Sequence, residues 1–416
     1  IVFGDWSSDV CSSDLWNVLD LKFGAQLELS NIDKHSVAGE PQVQLCNYVD
    51  VYRNERITSS LPFMQATASQ DQIERLTLQK GDVIITKDSE SPDDIGISAF
   101  VEETSENLVC GYHLCLIRPD ENRFSGRLLH WFFSSQSAKS YFYTEAVGMT
   151  RFALGKYSIA NTFLPHPPLP TQRAIAAFLD AETARIDGLI QDYEDLIELL
   201  KEKRQALISR AVTRGLSELV SPDDPEFGEW VKPVKFKDSG VEWIGEIPEG
   251  WEAGALKKWL SVVDCKHLAA EFVDSGYALV SIRELQGHVV DISEAKHTTV
   301  EYFNKLIDGG RELRKRDLVF CRNVGVGQVS IVPEMPNECA MGQDVCRLRP
   351  LGPNTDSSFI LLVLKSASIV SQLESIMIGA TFKRVNVEQI RELCVTSPDI
   401  EEQHAIASFL DRETSK

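Results

Sequence analysis

The sequence lacks the patterns that mark membrane-spanning, exported and zinc-binding proteins. Its 416 residues contain no run of 18 apolar residues, and the first residues do not show the basic-then-apolar order of a secretory signal. The nine cysteines form no CxxC pair, and none of the eight histidines stands at zinc-ligand spacing from them. We therefore expect a cytoplasmic protein without a metal site, whose cysteines are reduced and buried.

Loops that bind nucleotides and cofactors are missing as well. There is no GxxxxGK(S/T) loop for ATP, and the short GVGQ at Gly325–Gln328 lacks the GxGxxG context between a strand and a helix. Asp264 and His267, in SVVDCKH, have no evident third partner for catalysis. The residues therefore give no sign of a catalytic group or of a bound cofactor.

The chain has the composition of a folded protein but an unusual charge. With 43% hydrophobic and 25% charged residues it can form two or three domains with cores of their own. Its formal net charge of −20 argues against strong binding to nucleic acid by the chain alone, because that affinity comes largely from cations that neutralise phosphates.

The N-terminal segment needs separate treatment. GDWSSDVCSSDL, Gly4 to Leu15, resembles the in-frame translation of a sequencing-library adapter. We expect residues 1–15 to be an artefact of this kind, and such segments are set aside before the fold is considered. On this interpretation the native N-terminus is missing.

What the sequence does contain is a long internal repeat. Trp16 matches Trp251, and LQKGDVIITK matches LRKRDLVFCR with the same difference in residue number, here called the first offset. GYHLCLIRP then matches GQDVCRLRP with a slightly smaller difference, the second offset. The segment QRAIAAFLD recurs near the end as QHAIASFLD, also at the second offset. An offset that changes only once, with the matches in order, indicates duplication.

Each repeat combines a globular part with a helix. Short β-branched and aromatic runs between turn signals predict globular parts of mixed α and β structure, which end at the proline-rich PHPPLP in the first repeat. A helix is predicted over 172–215, roughly 60 Å long. Its apolar residues alternate steps of three and four, as in a coiled coil that needs a partner helix. The residues of this seam are Ile186, Ile190, Tyr193, Ile197, Leu200, Leu207 and Ala211.

The motifs resemble those of a known family. QRAIAAFLDAETARID, LIELLKEKRQALISRAVTRGL, KDSGVEWIGEIPEGW and IDGGRELRKRDLVF are similar to segments of the specificity subunit of type I restriction-modification systems. The resemblance covers nearly all of 16–416. It implies an α+β fold in which two mixed α/β target recognition domains, each reading half of a bipartite, asymmetric DNA site, are joined by long coiled-coil helices.

The resemblance also implies an organisation and a set of partners. It assigns 16–171 and 251–402 to the two recognition domains, 172–215 to a spacer helix, 216–250 to a linker and 403–416 to the start of a second, truncated spacer helix. The expected partners are double-stranded DNA, methyltransferase subunits and restriction-translocase subunits, with no membrane. The subunit itself would perform no chemistry, so that S-adenosylmethionine, ATP and Mg belong to the partner subunits.

Basic residues near the shared strand are the candidates for DNA contact. Arg311, Arg314, Lys315 and Arg316 precede that strand in the second repeat, and Arg322 follows it. The remaining candidates, at corresponding places in the first repeat or elsewhere in the second, are Lys80, Lys87, Arg151, Lys156, His267, Arg283, Lys383 and Arg384. The resemblance favours phosphate or base contacts for these clusters without choosing among the residues.

Two other functions stay open at this point. The chain could be the recognition half of a fused restriction-methyltransferase enzyme, which a catalytic domain before Trp16 would establish. It could instead be a coiled-coil scaffold that no longer reads DNA, which would leave every bipartite site unmethylated in the presence of its partners.

Overall fold

The computed structural model describes residues 16–334, 338–377 and 384–415. The described chain forms two compact units that divide between Asp192 and Tyr193, here called unit 1 and unit 2. The adapter-like segment 1–15 and the candidate Lys383 lie outside the described residues.

Unit 1 contains twelve strands and five short helices among the described residues, followed by a long helix that continues into unit 2. The strands are β1 (Asn17–Asp20), β2 (Ala25–Leu29), β3 (Gln42–Cys46), β4 (Arg56–Ile57), β5 (Met64–Thr67), β6 (Val83–Thr86), β7 (Asp88–Ser89), β8 (Ser98–Val101), β9 (Leu108–Cys110), β10 (Leu114–Pro119), β11 (Phe152–Ala153) and β12 (Phe163–His166). The helices are α1 (Tyr48–Arg53), α2 (Gln70–Leu76), α3 (Gly126–Phe133), α4 (Gln136–Glu145), α5 (Lys156–Ala160) and α6 (Leu169–Arg214).

The central sheet of unit 1 is covered on both faces. Its strand order is β2-β10-β6-β8-β4, and a three-stranded sheet, β5-β3-β9, lies in the same unit. The β-branched run VIIT makes β6 a fully buried strand whose side chains alternate between the two faces. Val83 and Ile85 belong to the core that includes α3 and α4, while Ile84 belongs to the core shared with the smaller sheet.

Unit 2 repeats this plan with its own strands and helices. Its strands are β13 (Phe236–Asp238), β14 (Glu246–Pro248), β15 (Glu252–Ala255), β16 (Leu260–Asp264), β17 (Phe272–Val273), β18 (Tyr277–Val280), β19 (His297–Thr298), β20 (Leu318–Cys321), β21 (Val329–Ile331), β22 (Cys339–Met341), β23 (Val345–Pro350) and β24 (Cys394–Ser397). Its helices are α7 (Val300–Ile307), α8 (Ser357–Leu364), α9 (Ala367–Ile376), α10 (Val387–Arg391) and α11 (Ile400–Thr414).

The two units confirm the internal repeat. The sheet order β16-β23-β20-β21 in unit 2 corresponds to β2-β10-β6-β8 in unit 1. Strands β2 and β6 recur as β16 and β20 at the first offset, and β10 and β12 recur as β23 and β24 at the second. Helices α3, α4 and α5 recur as α8, α9 and α10, also at the second offset. The α+β fold class with two repeated mixed domains and a long helix is therefore confirmed.

Helix α6 has 46 residues and begins three residues before the predicted Gln172. The reason is Pro170, which is tolerated in the first turn of a helix because its missing N–H would have no intrahelical acceptor there. The helix ends before Gly215, whose φ of 77° suits a residue that closes a helix. Ile208 and Val212, in its last turns, are buried in the core of unit 2.

Among the described residues, no single helix is long and apolar enough to cross a membrane. Helices α8 and α9 reach that length and apolar composition only together, and a bend of 58° separates them.

The cysteines that the structure describes are free thiols, and all but Cys394 are buried. Burial raises the pKa of the Cys115 thiol to about 12, despite the opposing charges of Lys156 and Lys87. Such a thiol stays protonated and unreactive near neutral pH, so Cys115 serves packing.

His130 on α3 couples the stability of unit 1 to pH. It is buried, and its Nδ1 forms a hydrogen bond with Ser98 Oγ at 3.0 Å. Burial, together with the nearby charge of Arg127, lowers its pKa from 6.5 to about 4. Since the unfolded chain takes up this proton first as pH falls, the stabilisation is complete above pH 6.5 and is lost as pH falls towards 4. The loss is about 3 kcal/mol and is measurable by urea unfolding across that range.

The matched control for this prediction is His130→Asn, which keeps a polar group of similar reach but does not titrate. Its stability is expected to change less steeply than that of the wild type between pH 6.5 and 4. Equal slopes for the two proteins in that window would show that His130 is not the titrating group.

Candidate nucleic-acid interface

A buried ion pair holds the same backbone geometry in both repeats. In unit 1, Arg118 Nε and Nη2 donate to the two carboxylate oxygens of Asp82 at 2.9 and 2.8 Å. In unit 2, Arg349 makes the same two bonds to Asp317 at 2.7 and 2.6 Å. The two carboxylates are each 2% exposed. Because each pair ties the start of β6 or β20 to the end of the neighbouring strand, the two sheets keep the same register.

A buried glutamine fixes the beginning of the terminal helix in each repeat. Gln172 Nε2 donates to the carbonyl oxygens of Arg123 and Pro167, and its Oε1 accepts from Ser125 N. Gln403, on α11, makes the three corresponding contacts. Its Nε2 donates to the carbonyl oxygens of Asn354 and Pro398, and its Oε1 accepts from Asp356 N. The helices therefore leave both globular parts at equivalent places.

The predicted basic residues that follow the shared strand also occupy equivalent places. Lys87 N donates to His113 O at 2.8 Å in unit 1, and Arg322 N donates to Asp344 O at 2.8 Å in unit 2. His113 and Asp344 both have positive φ, 71° and 65°. These residues lie at the end of the sheet where β6 and β20 finish, and this end is here called the loop end.

The loop end of unit 1 carries a chain of hydrogen bonds between charged groups. Lys87 Nζ and His113 Nδ1 both contact Asp88 Oδ2, at 2.7 and 2.8 Å, and Arg151 Nη2 donates to His113 Nε2 at 3.1 Å. The Lys87 ammonium also lies 5.1 Å from the ring centre of Tyr112. Lys87 directly, and Arg151 through His113, are therefore linked to one carboxylate here, while Glu90, Asp93 and Asp94 add negative charge to the same loop.

The contacts with Lys87 and His113 change the acidity of the Asp88 carboxyl. Its burial on its own would raise its pKa, but the hydrogen bonds from Lys87 and His113 together outweigh burial, and the pKa is lowered from its ordinary value. Asp88 therefore stays ionised near neutral pH and orients the basic side chains.

The loop end of unit 2 gathers basic residues around Asp264, at the end of β16. Arg322 Nη2 lies 3.1 Å from Asp264 Oδ1, and His267 Nε2 lies 3.5 Å from Asp264 Oδ2. Arg311 Nε donates to the Asp264 carbonyl oxygen at 3.0 Å. Arg384 joins the same region through a bridge to Asn323, which corresponds to the pairing of Ala153 with Asp88 in unit 1. Arg322 and His267 therefore approach the Asp264 carboxylate, and Arg311 contacts the main chain of the same residue.

Four of the other predicted residues lie apart from these clusters. Lys80, Arg314, Lys315 and Arg316 come before β6 or β20, at the opposite end of the sheet from the loop end. In unit 2 these basic residues have acidic partners: Arg314 contacts Glu312 and Lys315 contacts Glu334, both at 2.6 Å, and Arg316 contacts Asp356. Lys156 lies 3.7 Å from Glu28, and Arg283 is part of a turn that follows β18. The positive charges of Arg314, Lys315 and Arg316, at the opposite end of the sheet of unit 2, are therefore largely balanced.

The sequence alone does not single out several residues that the structure places at the loop end. They are Asp88, Tyr112, His113, Asn323 and Gln328. The repeat offers a way to find three of them, Asp88, His113 and Asn323. Asp88 and Asn323 occupy equivalent positions at the first offset, and His113 occupies the position of Asp344 at the second. Transferring each candidate of one repeat onto the other by these offsets identifies the equivalent positions.

The coiled-coil seam is divided between solvent and core. Ile186, Ile190, Tyr193, Ile197 and Leu200 are between 48% and 64% exposed, whereas Ala211 is fully buried and Leu207 packs partly against the core of unit 2. The exposed part is here called the apolar stripe of α6. Apolar side chains exposed in such a row are typical of a surface that binds another helix.

No group of His, Cys, Asp or Glu that could hold a metal ion occurs in the described part of the chain.

Comparison with known proteins identifies the family to which the chain belongs. The model of the type I restriction modification DNA specificity domain matches residues 42–199 and again residues 275–415, once in each repeat. The chain belongs to this family. It is therefore a subunit that recognises DNA sequence and is not itself catalytic, as the motifs predicted.

Curated relatives carry the same designation. The chain is 25% identical over 345 residues to a Methanocaldococcus jannaschii protein provisionally named the type I restriction enzyme MjaX specificity subunit, and the match covers 82% of this chain and 73% of that protein. It is 24% identical over 312 residues to the type I restriction enzyme EcoBI specificity subunit of Escherichia coli, a match that covers 74% of this chain and 63% of that protein.

Solved structures share the fold. A chain from work on complex assembly and conformational transition of the type I R-M system has a TM-score of 0.67 and 16% identity, over 97% of this chain and 91% of that chain. The HsdS subunit from Thermoanaerobacter tengcongensis has a TM-score of 0.57 and 16% identity, over the same shares, 97% and 91%.

Proposed function

We propose that each unit of this chain reads one half of a bipartite, asymmetric DNA site through its loop end. The observation that carries the proposal is the combination of a repeated frame with unlike side chains at the loop end. Lys87 and Arg322 leave equivalent strands through the same backbone contact, yet they are surrounded by different groups. Two similar domains with different contact residues read two different half-sites.

The proposed domain organisation follows from this assignment. The recognition domains are 16–171 and 251–402, with the spacer helix over 172–215 and the linker over 216–250. The segment 403–416 is proposed as the beginning of a second spacer helix. The buried contacts of Gln172 and Gln403 support equivalent helix starts in the two repeats.

Methyltransferase and restriction-translocase subunits are the proposed protein partners. The curated relatives are named as subunits of type I restriction enzymes, and the apolar stripe of α6 supplies a surface for helix pairing or subunit docking. S-adenosylmethionine, ATP and Mg are proposed to bind to those partners, and the cytoplasm is the proposed location of the assembly.

The net charge of −20 limits what the chain does alone. We expect weak DNA binding by the isolated chain, because its acidic residues repel the phosphates that the basic residues of the loop ends attract. Partner subunits that contribute further cations would complete the DNA-binding channel and raise the affinity.

The proposed function is tested with the assembled complex. Co-expression with the cognate methyltransferase is expected to methylate adenines at one bipartite sequence, which sequencing of modified genomic DNA would identify. The double substitution Lys87→Ala and Arg151→Ala is expected to lower DNA affinity about tenfold and to reduce the salt dependence of binding by roughly two ions.

Lys22→Ala with Lys80→Ala is the matched control, since it removes the same charge from exposed positions that precede β2 and β6, at the opposite end of the sheet from the loop end. This control should bind nearly as well as the wild type. Unmodified genomic adenines together with binding that shows no sequence preference would contradict the proposed function.

A further inference from the structure

The loop that follows the shared strand differs in chemistry between the two repeats. In unit 1 it runs from Lys87 to Ile97, between β6 and β8; in unit 2 it runs from Arg322 to Gln328, between β20 and β21, and is four residues shorter. The step from the first offset to the second therefore falls in this loop. The strands on both sides of it are equivalent, so the divergence is local to the loop.

The two loops carry opposite hydrogen-bonding groups. The unit 1 loop contains four carboxylates, which are Asp88, Glu90, Asp93 and Asp94. The unit 2 loop, NVGVGQ after Arg322, contains no acidic residue and has an amide near each end, Asn323 and Gln328. Packing requires no such difference, since both loops begin beside a fully buried strand.

The polar groups of the unit 2 loop are arranged for a partner from outside the chain. Among the described residues, Asn323 Oδ1, Gln328 Oε1, Arg322 Nε and Asp264 Oδ1 are buried atoms without a hydrogen-bond partner, although Arg322 Nη2 approaches Asp264 Oδ1 as an ion pair. Only three other side-chain atoms in the described part of the chain share that condition. Leaving a buried polar group unsatisfied is unfavourable, so the three of these atoms that also lack an ion pair indicate polar groups that a ligand would satisfy.

The donor side of Asn323 is weakly engaged as well. Its Nδ2 donates to Asp344 Oδ1 at 3.4 Å, which is long for a hydrogen bond between nitrogen and oxygen. The oxygen of this carboxamide is buried without a partner and its nitrogen is weakly held, so a rotation of the side chain would present both to a ligand that offers a donor and an acceptor side by side.

The backbone holds these groups in place. Cys321 N donates to Gln328 O at 2.8 Å, which brings the two ends of the loop together, and Asn323 pairs with Arg384 across a bridge. Gly325 and Gly327, with φ of 94° and 95°, make the turn that other residues would strain. A closed hairpin loop thus carries Asn323 and Gln328. The ion pair between Arg322, the first residue of the loop, and Asp264 anchors this loop to β16.

We infer that Asn323 and Gln328 read adenine in the half-site that unit 2 recognises, with Arg322 as a positioning residue. A carboxamide forms two hydrogen bonds with the N6 and N7 edge of adenine in the major groove, a pattern that the other bases do not present. The carboxylate-rich loop of unit 1 lacks such donors and would instead accept from base amino groups. The inference rests on the proposed function, because it assigns the contacts of the same site.

The test uses the full chain assembled with its methyltransferase subunits and a random pool of double-stranded DNA. Sequences bound by the wild type are expected to share two half-sites. Asn323→Ala and Gln328→Ala are each expected to reduce the preference for adenine at one position of one half-site by about ten- to a hundredfold, and to leave the other half-site unchanged.

Two further variants keep the test sharp. Asn323→Asp preserves the size of the side chain but removes its donor, so the preferred base should move from adenine towards cytosine, whose N4 amino group donates. Asp93→Ala, in the loop of unit 1, should leave the half-site that depends on Asn323 unchanged. Thermal unfolding of each variant establishes that it is folded.

The outcomes separate the inference from the function on which it rests. A wild-type complex without any sequence preference would overturn the proposed function and this inference with it. A bipartite preference that is unchanged in folded Asn323→Ala and Gln328→Ala would overturn the inference alone. An equal loss of affinity for all sequences would also overturn it, because that result is expected of phosphate contacts.

Discussion

Arg349→Ala is expected to lower the free energy of unfolding by about 3–5 kcal/mol, the typical cost of removing one partner from a buried ion pair. In the unsubstituted protein Asp317 is 2% exposed, and the substitution removes the two hydrogen bonds that its carboxylate accepts from Arg349. It also removes the bond from Arg349 Nη2 to Glu312 O at 2.9 Å. Asp317 would keep only its bond from Arg314 N, at 2.7 Å. Urea titration of the two proteins measures the difference.

The equivalent pair and a nearby exposed residue provide controls. Arg118→Ala, which strands Asp82 in unit 1, should have a cost of the same order. Arg314→Ala should change stability by less than about 0.5 kcal/mol, because its ion pair is exposed.

A double substitution distinguishes the cost of burying an unpaired charge from the contribution of the ion pair itself to stability. Asp317→Leu with Arg349→Met should be less destabilising than Arg349→Ala, since it leaves no unpaired charge in the core. A loss below about 1 kcal/mol in Arg349→Ala would show that the pair does not hold the frame of unit 2.

The repeat and its strands could be predicted from the sequence because both depend on local pattern. Runs such as DVIITK and DLVFCR are recognisable as buried strands, and the offset between them survives in the bounds of β6 and β20. The predicted start of α6 is three residues late. The pattern PHPPLP indicates a boundary before the helix, whereas Pro170 lies within the first turn.

The pairing of charges could not be predicted, because it joins residues that are distant in sequence. Arg316 pairs with Asp356, forty residues further along the chain, and Arg322 pairs with Asp264 at the end of β16. The sequence therefore identifies basic residues without separating those at the loop end from those neutralised at the opposite end. The burial of Ala211 likewise depends on the packing of α6 against unit 2, which a seam pattern does not reveal.

A four-residue insertion after Leu199 is expected to widen the gap between the two recognised half-sites by about one to two base pairs. The hypothesis is that α6 sets the distance between the two reading surfaces. Four residues lengthen a helix by about 6 Å and add little more than one turn, while successive base pairs are about 3.4 Å apart. Leu199 lies in the exposed part of α6, away from the buried turns near Ile208, so neither core is disturbed. Sequencing of the methylated sites in co-expressing cells reads out the gap.

Two other insertions distinguish a spacer from a passive connection. Two residues inserted at the same place turn the following part of the helix by about 200°, which breaks the apolar stripe and should abolish methylation. Four residues inserted after Pro233, in the linker, leave α6 unchanged and should leave the gap unchanged. Both half-sites should keep their sequences in the first variant, since the loop ends are untouched. A gap that stays the same after the insertion at Leu199, with methylation retained, would refute the role of α6 as the element that sets the spacing.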